Sequence, residues 1–501
     1  MKKKILALMS VMVMGATLFT GCGDDDAKKQ SSNGGGLLGQ LATAPSVDMP
    51  DMDDDSDSNK NDKVDKEADL TNIKAVIDEY KKNPRKSEKT DEFNTSATME
   101  PVIFHNEDNI IVAILGITYT DYKVEIDAVV QNGNDENTYI DLGNAGSRGA
   151  VNGIMVKDFW AFEEVEANST KQFVIDYPYM YFDAYGIEEI ATFALDLGYH
   201  TEDGYVQKLY EFETSLAANY DFEKNTYMEA VKDGRFEDER NVEIQFINEE
   251  TILASNDIKV NSQIYAISER GEHFVYFEVE NNTDEIVDIC FGDIRINDLC
   301  IEREQEGYIV VLPGTKGVYN LGITDMLAED LWQVFGFEKI NSIGFDVSVR
   351  DEDYQEVMSV EDLKVEISSE KVDIDLTGKE IYNEDGINIL SKGLHEVKNG
   401  YSELYGWVLV VNNNGDCKLR MNTGDDEVVY VNGKELGEYS RNITCGLEEY
   451  LIVVIYFYES EVNEAGIASI DDITNIEFTP SFSDAEEYIN ISKPTITETF
   501  E

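Results

Sequence analysis

Cysteine, proline, tryptophan and positive charge are all scarce in this 501-residue chain: five Cys, eight Pro, three Trp, and 40 Lys plus Arg against 102 Asp plus Glu, for a net charge of −62. So negative a chain is repelled by phosphate backbones and anionic lipid surfaces, which excludes nucleic acid and acidic headgroups as direct partners. No C-x-x-C is present, so neither a thiol redox motif nor a zinc knuckle is written here. The four histidines, His105, His200, His273 and His395, are scattered, and no two stand at H-x-x-x-H spacing. A G-x-S-x-G elbow and a glycine-rich phosphate loop are also missing. A glycosidase-type carboxylate pair would be camouflaged among so many acids, but nothing else points to catalysis. The chain is read as a non-enzyme without cofactor or metal.

What is there begins at the N-terminus. Lys2, Lys3 and Lys4 precede an apolar run from Ile5 to Phe19, the length of a secretory signal rather than of a membrane span. The stretch Phe19-Thr20-Gly21-Cys22 resembles the lipobox of bacterial lipoproteins, with Phe19 where Leu is usual. That resemblance implies a signal peptide over 1–21 and a diacylglyceryl group on Cys22, which would become the new N-terminus. It places the protein on the outer face of the cytoplasmic membrane, held by acyl chains whose buried methylenes contribute about 0.8 kcal/mol each.

Residues 22–66 are acidic, Gly-bearing and poor in aromatics, a composition that cannot offset its ordering entropy, so a disordered stalk is expected. Asp53, Asp55 and Asp57 alternate as in a calcium loop. An EF-hand starting at Asp53 would need Gly and Glu where Ser58 and Val64 stand, and one starting at Asp55 meets Lys60 and Lys66. Over 67–97, Leu70, Ile73, Val76, Ile77 and Tyr80 recur at helical spacing until Pro84, which predicts a short amphipathic helix and a linker.

From there a pattern recurs three times. "FHNEDNIIV" (104–112), "ILASNDIKV" (252–260) and "IYNEDGINI" (381–389) open each copy; a strand ending at Asn132, Asn281 and Asn412 follows; a second turn carries Asn152, Asn297 and Asn432; and "IATFALDL", "INSIGFDV" and "ITNIEFTP" close. The period is domain-sized, well above that of solenoid units. Short strands, Asn and Gly turns and little long helical periodicity predict an all-β chain of three tandem antiparallel β-sandwiches over 98–220, 243–370 and 376–497, with a charged linker over 221–242 that is partly helical in pattern. Val124, Ile126, Ala128 and Val130 alternate with Lys123, Glu125 and Asp127 as in a half-buried strand. "YSELYGWVLVV" is apolar on both faces, which predicts a central strand with Trp407 in the core. With Pro313-Gly314 in the second copy, the order of strands and turns resembles the telokin-like immunoglobulin-like domains of bacterial cell-surface lipoproteins, those of clostridia among them. The resemblance implies architecture and placement rather than an activity.

Cys290, Cys300, Cys417 and Cys445 fall in the second and third copies at unmatched positions, so free thiols and disulfides both stay open. The one ligand signal is "DYPYMYFDAYG", where Tyr177, Tyr179, Tyr181 and Tyr185 would either stack on sugar rings or fill the core and edge of the first copy. Function is read as a non-catalytic, lipid-anchored adhesive or interaction module with an unknown surface protein or glycan as partner. The alternative is a carbohydrate-binding lipoprotein serving a transporter or surface enzyme complex, and behind it a cryptic hydrolase.

Overall fold

The computed structural model describes residues 70–500 apart from 91–92, 144–147, 202–203, 302–306, 325–326, 400–401, 423–427, 439–441, 446–449 and 486. The signal, Cys22, the acidic stalk and its calcium-loop reading lie outside the described residues. What is described is predominantly antiparallel β-sheet in sandwich layers, with short helices between. No described helix is long and apolar enough to cross a membrane.

The recurring asparagines have a shared structural cause. Hairpin turns of the type I′ class need two successive residues at positive φ. Such pairs occur at Asp108/Asn109, Asn256/Asp257 and Asp385/Gly386 in the opening motif, and at Asn152/Gly153, Asn297/Asp298 and Asn432/Gly433 in the second turn. Each second-turn Asn, at φ 51–52°, also bridges to the closing strand. Asn152 Oδ1 accepts from the amides of Ala191 and Thr192, Asn297 Oδ1 from Asn341 and Ser342, and Asn432 Oδ1 from Thr474 and Asn475. Their Nδ2 groups donate to the carbonyls of Glu189, Lys339 and Asp472.

The strand-ending Asn behaves likewise, with one correction. Asn132 Nδ2 donates to Glu136 O and Val165 O, and Asn281 Nδ2 to Glu285 O and Val311 O. In the third copy Asn413, and not Asn412, fills this place: it donates to Cys417 O, accepts from Gly415 N, and pairs with Ile387 as Asn132 pairs with Ile110. Two adjacent asparagines hide the register in sequence; Asn413 is buried and Asn412 half-exposed.

In the first copy, strands β1 (Val102–Glu107), β2 (Ile110–Tyr119), β3 (Lys123–Asn132), β4 (Thr138–Leu142), β5 (Gly149–Val151), β6 (Ile154–Met155), β7 (Ala161–Val165), β8 (Ser169–Pro178), β9 (Thr192–Thr201) and β10 (Gly204–Glu213) form two layers. One sheet runs β1-β2-β3-β8; the other places β7, β4, β9 and β10 side by side. The third copy repeats the first sheet with Lys379–Glu384, Ile387–Asn399, Ser402–Asn413 and Tyr450–Tyr458. Among the described residues the first two copies are joined edge to edge at a single parallel bridge, Lys316 to Ile154, where Lys316 N donates to Gly153 O at 2.8 Å.

In each repeat one sheet is covered on its outer face as well as its inner one, by something that lies outside the sandwich. In the first copy the predicted helix forms as α1 (Thr71–Lys82) and packs Ile73 and Ile77 on Ile111, Ala113, Leu115 and Val129. Strand β3 is therefore not half-buried as its alternation implied. Glu125 and Asp127 are covered, and Arg85 and Lys123 pair with them while Tyr80 and Thr118 donate to Asp127. In the second copy the charged, partly helical linker forms helices Thr226–Asp233 and Arg235–Arg240 and is packed rather than free, burying Tyr227, Met228, Val231 and Phe236 against Ile264, Ala266 and Tyr276. In the third, Trp407, Leu409 and Val411 enter the repeat's own core. Val408 and Val410 join the buried cluster that holds Leu331 and Phe335 of the second repeat. The both-faces-apolar strand is thus central, as predicted, and Trp407 is fully buried.

Candidate functional site

The four tyrosines singled out in sequence do not form a face. Tyr177 is buried and donates to Lys157 O, Tyr179 is buried, stacks on Phe93 and donates to Thr120 O, and Tyr185 is buried with Arg240 donating to its hydroxyl. Burial pushes the Tyr179 hydroxyl up to about 12. Only Tyr181 is exposed. Alternation along β8 followed by the helical turn Met180–Asp183 sends the other three inward.

The exposed aromatics assemble elsewhere, on the outer face of β7, β4, β9 and β10. Residues directly opposed in an antiparallel pair share a face. Phe162 opposes Asp141 and Glu164 opposes Tyr139 between β7 and β4; Asp141 opposes Gly198 between β4 and β9; Gly198 opposes Gln207 and His200 opposes Tyr205 between β9 and β10. Continuing the register by one residue adds Trp160 across from Gly143. The result is one outward grid of four strands carrying Trp160, Phe162, Tyr139 and Tyr205, with His200 exposed beside Tyr205. Their exposures are 37%, 51%, 45% and 47%.

Two glycines flatten this surface. A Cβ on Gly198 would lie 1.9 Å from the Tyr205 hydroxyl, so the Tyr205 ring lies across β9 only because position 198 is bare. A Cβ on Gly143, at φ +92°, would meet the Phe159 carbonyl at 2.6 Å and Trp160 Cβ at 3.0 Å. Tyr139 and Phe162 stack with centroids 5.4 Å apart and planes 15° from parallel, and His200 sits 4.9 Å from Tyr205.

A polar cluster closes one end. Asp196, on β9 two residues before Gly198, accepts from Arg148 at 3.0 Å and also from Gln207, and Arg148 reaches Glu352 of the second repeat at 3.2 Å. Asp196 Oδ1 and Arg148 Nε are buried without a hydrogen-bond partner among the described residues. Burial raises the Asp196 carboxyl above its ordinary range, opposed by the Arg148 charge and the Gln207 and Arg148 hydrogen bonds.

The second repeat supplies an internal control. Its equivalent sheet carries Asp288 where Tyr139 stands, Cys290 for Asp141, Ser348 for Gly198, Arg350 for His200 and Glu356 for Tyr205; only Tyr308, for Phe162, stays aromatic. The fold does not require aromatic rings at these positions, so their presence in the first repeat calls for another explanation. Cys290, Cys300 and Cys417 are thiols in this structure, and burial raises that of Cys290. The described residues hold no group of three or more His, Cys, Asp or Glu arranged to bind a metal.

No protein-family model and no curated protein sequence matches the chain. Among solved structures it is similar to part of a 1.5-MDa bacterial ice-binding adhesin described for host cell surface retention, at 12% identity over 75% of this chain and 90% of that one, with a TM-score of 0.12. It is also similar to a Bacteroides uniformis β-glucuronidase at 11% identity, over 46% of this chain and 26% of that one (TM-score 0.15). A third similarity is to the Amycolatopsis orientalis exo-chitosanase CsxA at 7% identity, over 81% and 79% (TM-score 0.16). At these TM-scores the likenesses carry no argument about activity or ligand.

Proposed function

We propose that this is a non-catalytic surface protein, anchored by a diacylglyceryl group on Cys22 and raised on its acidic stalk, that binds glycan chains through the aromatic face of its first immunoglobulin-like repeat. The observation that carries this reading is the exposed grid of Trp160, Phe162, Tyr139 and Tyr205, with Tyr205 laid across bare Gly198, where the second repeat has Asp288 for Tyr139 and Glu356 for Tyr205. Exposed planar rings that the fold does not need fit the apolar faces of pyranose rings, and four strands spaced about 4.8 Å apart offer room for several residues of a chain. Asp141, Glu164 and Asp196 on the same face, in a chain of net charge −62, select against uronate or sulfated polymers.

The test uses tryptophan fluorescence, because Trp332 and Trp407 are 1% and 0% exposed and only Trp160 reports from the surface. Soluble β-glucan and chitin oligomers should protect Trp160 from acrylamide quenching, and an alginate oligomer should not. Phe162→Ala and Tyr205→Ala should each weaken binding about three- to tenfold, roughly 0.7–1.4 kcal/mol. Absence of binding to every neutral oligomer, or binding untouched by both substitutions, would sink the proposal.

A further inference from the structure

At the seam between the first two repeats lies a cleft of about 680 Å³, open solvent at its mouth included. Its wall is the segment that leads into helix Thr226–Asp233. Tyr220 and Phe222 pack edge to face at its rim with centroids 4.8 Å apart, and Phe222 is 47% exposed. Asn225 caps the helix through its Oδ1, which accepts from Met228 N. Its Nδ2 reaches both oxygens of Glu278, at 3.3 and 3.2 Å. Glu278 is buried and also accepts from Ser262 Oγ at 3.1 Å.

Two features of this cleft are left open by the fold. Lys316 Nζ stands 3.9 Å from Glu278 Oε1, within Coulomb range but too far for a hydrogen bond. Tyr227, 3% exposed and lining the cleft, has a hydroxyl with no hydrogen-bond partner among the described residues. A buried hydroxyl left unpaired costs about 1–3 kcal/mol, and such groups mark places where a partner is missing. A purely anionic ligand would meet Glu278 and Glu280, and a purely cationic one Lys316 and Lys224, all of which line the cleft.

We infer that the cleft binds a small zwitterion of α-amino acid type. Its carboxylate meets Lys316 Nζ, its ammonium faces the Glu278 and Glu280 carboxylates that line the cleft, and its apolar part lies against Tyr220 and Phe222. The site is independent of the aromatic grid. Because Lys316 also makes the one backbone bridge between the repeats among the described residues, a bound ligand would sit on the joint itself.

Isothermal titration of the full chain with L-phenylalanine, its amide and its N-acetyl derivative tests this. Phenylalanine should bind, and removing either charge should weaken it about tenfold or more. Lys316→Met should cost phenylalanine about tenfold and abolish its advantage over the amide; Phe222→Ala, which removes part of the apolar wall, should cost about threefold. No binding up to about 20 mM, or equal binding of all three compounds, overturns the inference, as does full retention of affinity in Lys316→Met. An unchanged thermal transition in each variant separates these outcomes from misfolding.

Discussion

Replacing Trp407 by alanine probes the third repeat at its most constrained point. The indole is fully buried, meets Phe478 edge-on at 6.3 Å, and donates from Nε1 to Glu498 Oε2 at 2.6 Å and to Ser391 Oγ at 3.2 Å. Removing a buried Trp side chain costs about 3–5 kcal/mol through lost transfer energy and the cavity left behind. A second loss follows, because Glu498 is only 4% exposed and Lys379, its ion-pair partner, stands 3.6 Å from the other oxygen, too far for a hydrogen bond. Stranding that carboxylate adds roughly 1–3 kcal/mol. The sum, about 4–8 kcal/mol, is comparable to the whole stability of a domain. Trp407→Phe keeps most of the packing and should show chiefly the carboxylate part, and Glu498→Leu in that background should recover it. Because a chain of several repeats does not unfold as one unit, the assay is hydrogen exchange resolved to the strands Ser402–Asn413 and Tyr450–Tyr458, compared with those of the first repeat. A protection loss in Trp407→Ala below about 1 kcal/mol would refute the core role.

Three further outcomes are expected. Asn413→Ala should destabilise the third repeat by about 1–3 kcal/mol, since a buried carbonyl and amide lose their partner, whereas Asn412→Ala should stay within about 0.5 kcal/mol; equal effects in urea titrations would contradict the register. Burial pushes the Glu239 carboxyl up to about 7, with Arg240 opposing and Asp183 adding to the rise. A raised acid pKa means that the unfolded chain gives up its proton first, so this group's contribution to stability declines as pH climbs from about 4.5 to about 7 and levels off above; melting curves of Glu239→Gln should lack that decline. Cys22→Ser should abolish radiolabelled lipid incorporation and release the protein from the detergent phase; unchanged partitioning would remove the anchor from the proposal.

The all-β sandwich fold was legible because its turns are chemical. Asn, Asp and Gly at positive φ are the residues that type I′ hairpins tolerate, and they recur in order three times whatever fills the strands between. The coverings of the outer sheet faces were only partly legible. The Ile73 and Ile77 periodicity announced a helix, but its docking place depends on Gln131 Oε1 accepting from Ile73 N and on Arg85 meeting Glu125 and Asp127, contacts spanning 40 to 58 residues. The partly helical pattern of 221–242 was legible, but its charge concealed the burial of Tyr227 and Phe236, since one helical face can be buried while the other carries the acids and lysines that dominate composition.

The candidate site shows why proximity in sequence is a poor guide to a surface in a sandwich. Tyr177, Tyr179 and Tyr185 lie within nine residues of each other and go inward, because a strand and a turn alternate directions faster than a cluster can hold one face. Trp160, Phe162, Tyr139 and Tyr205 span 67 positions and share a face, because cross-strand register brings together one residue in two from each of three strands. The signal that sequence did contain is the glycine: Gly198, in the closing motif "FALDLG", stands where the equivalent closing strand of the second repeat continues with Ser348. A bare position in the middle of a strand weakens it unless something lies across the gap, and here that something is the ring of Tyr205.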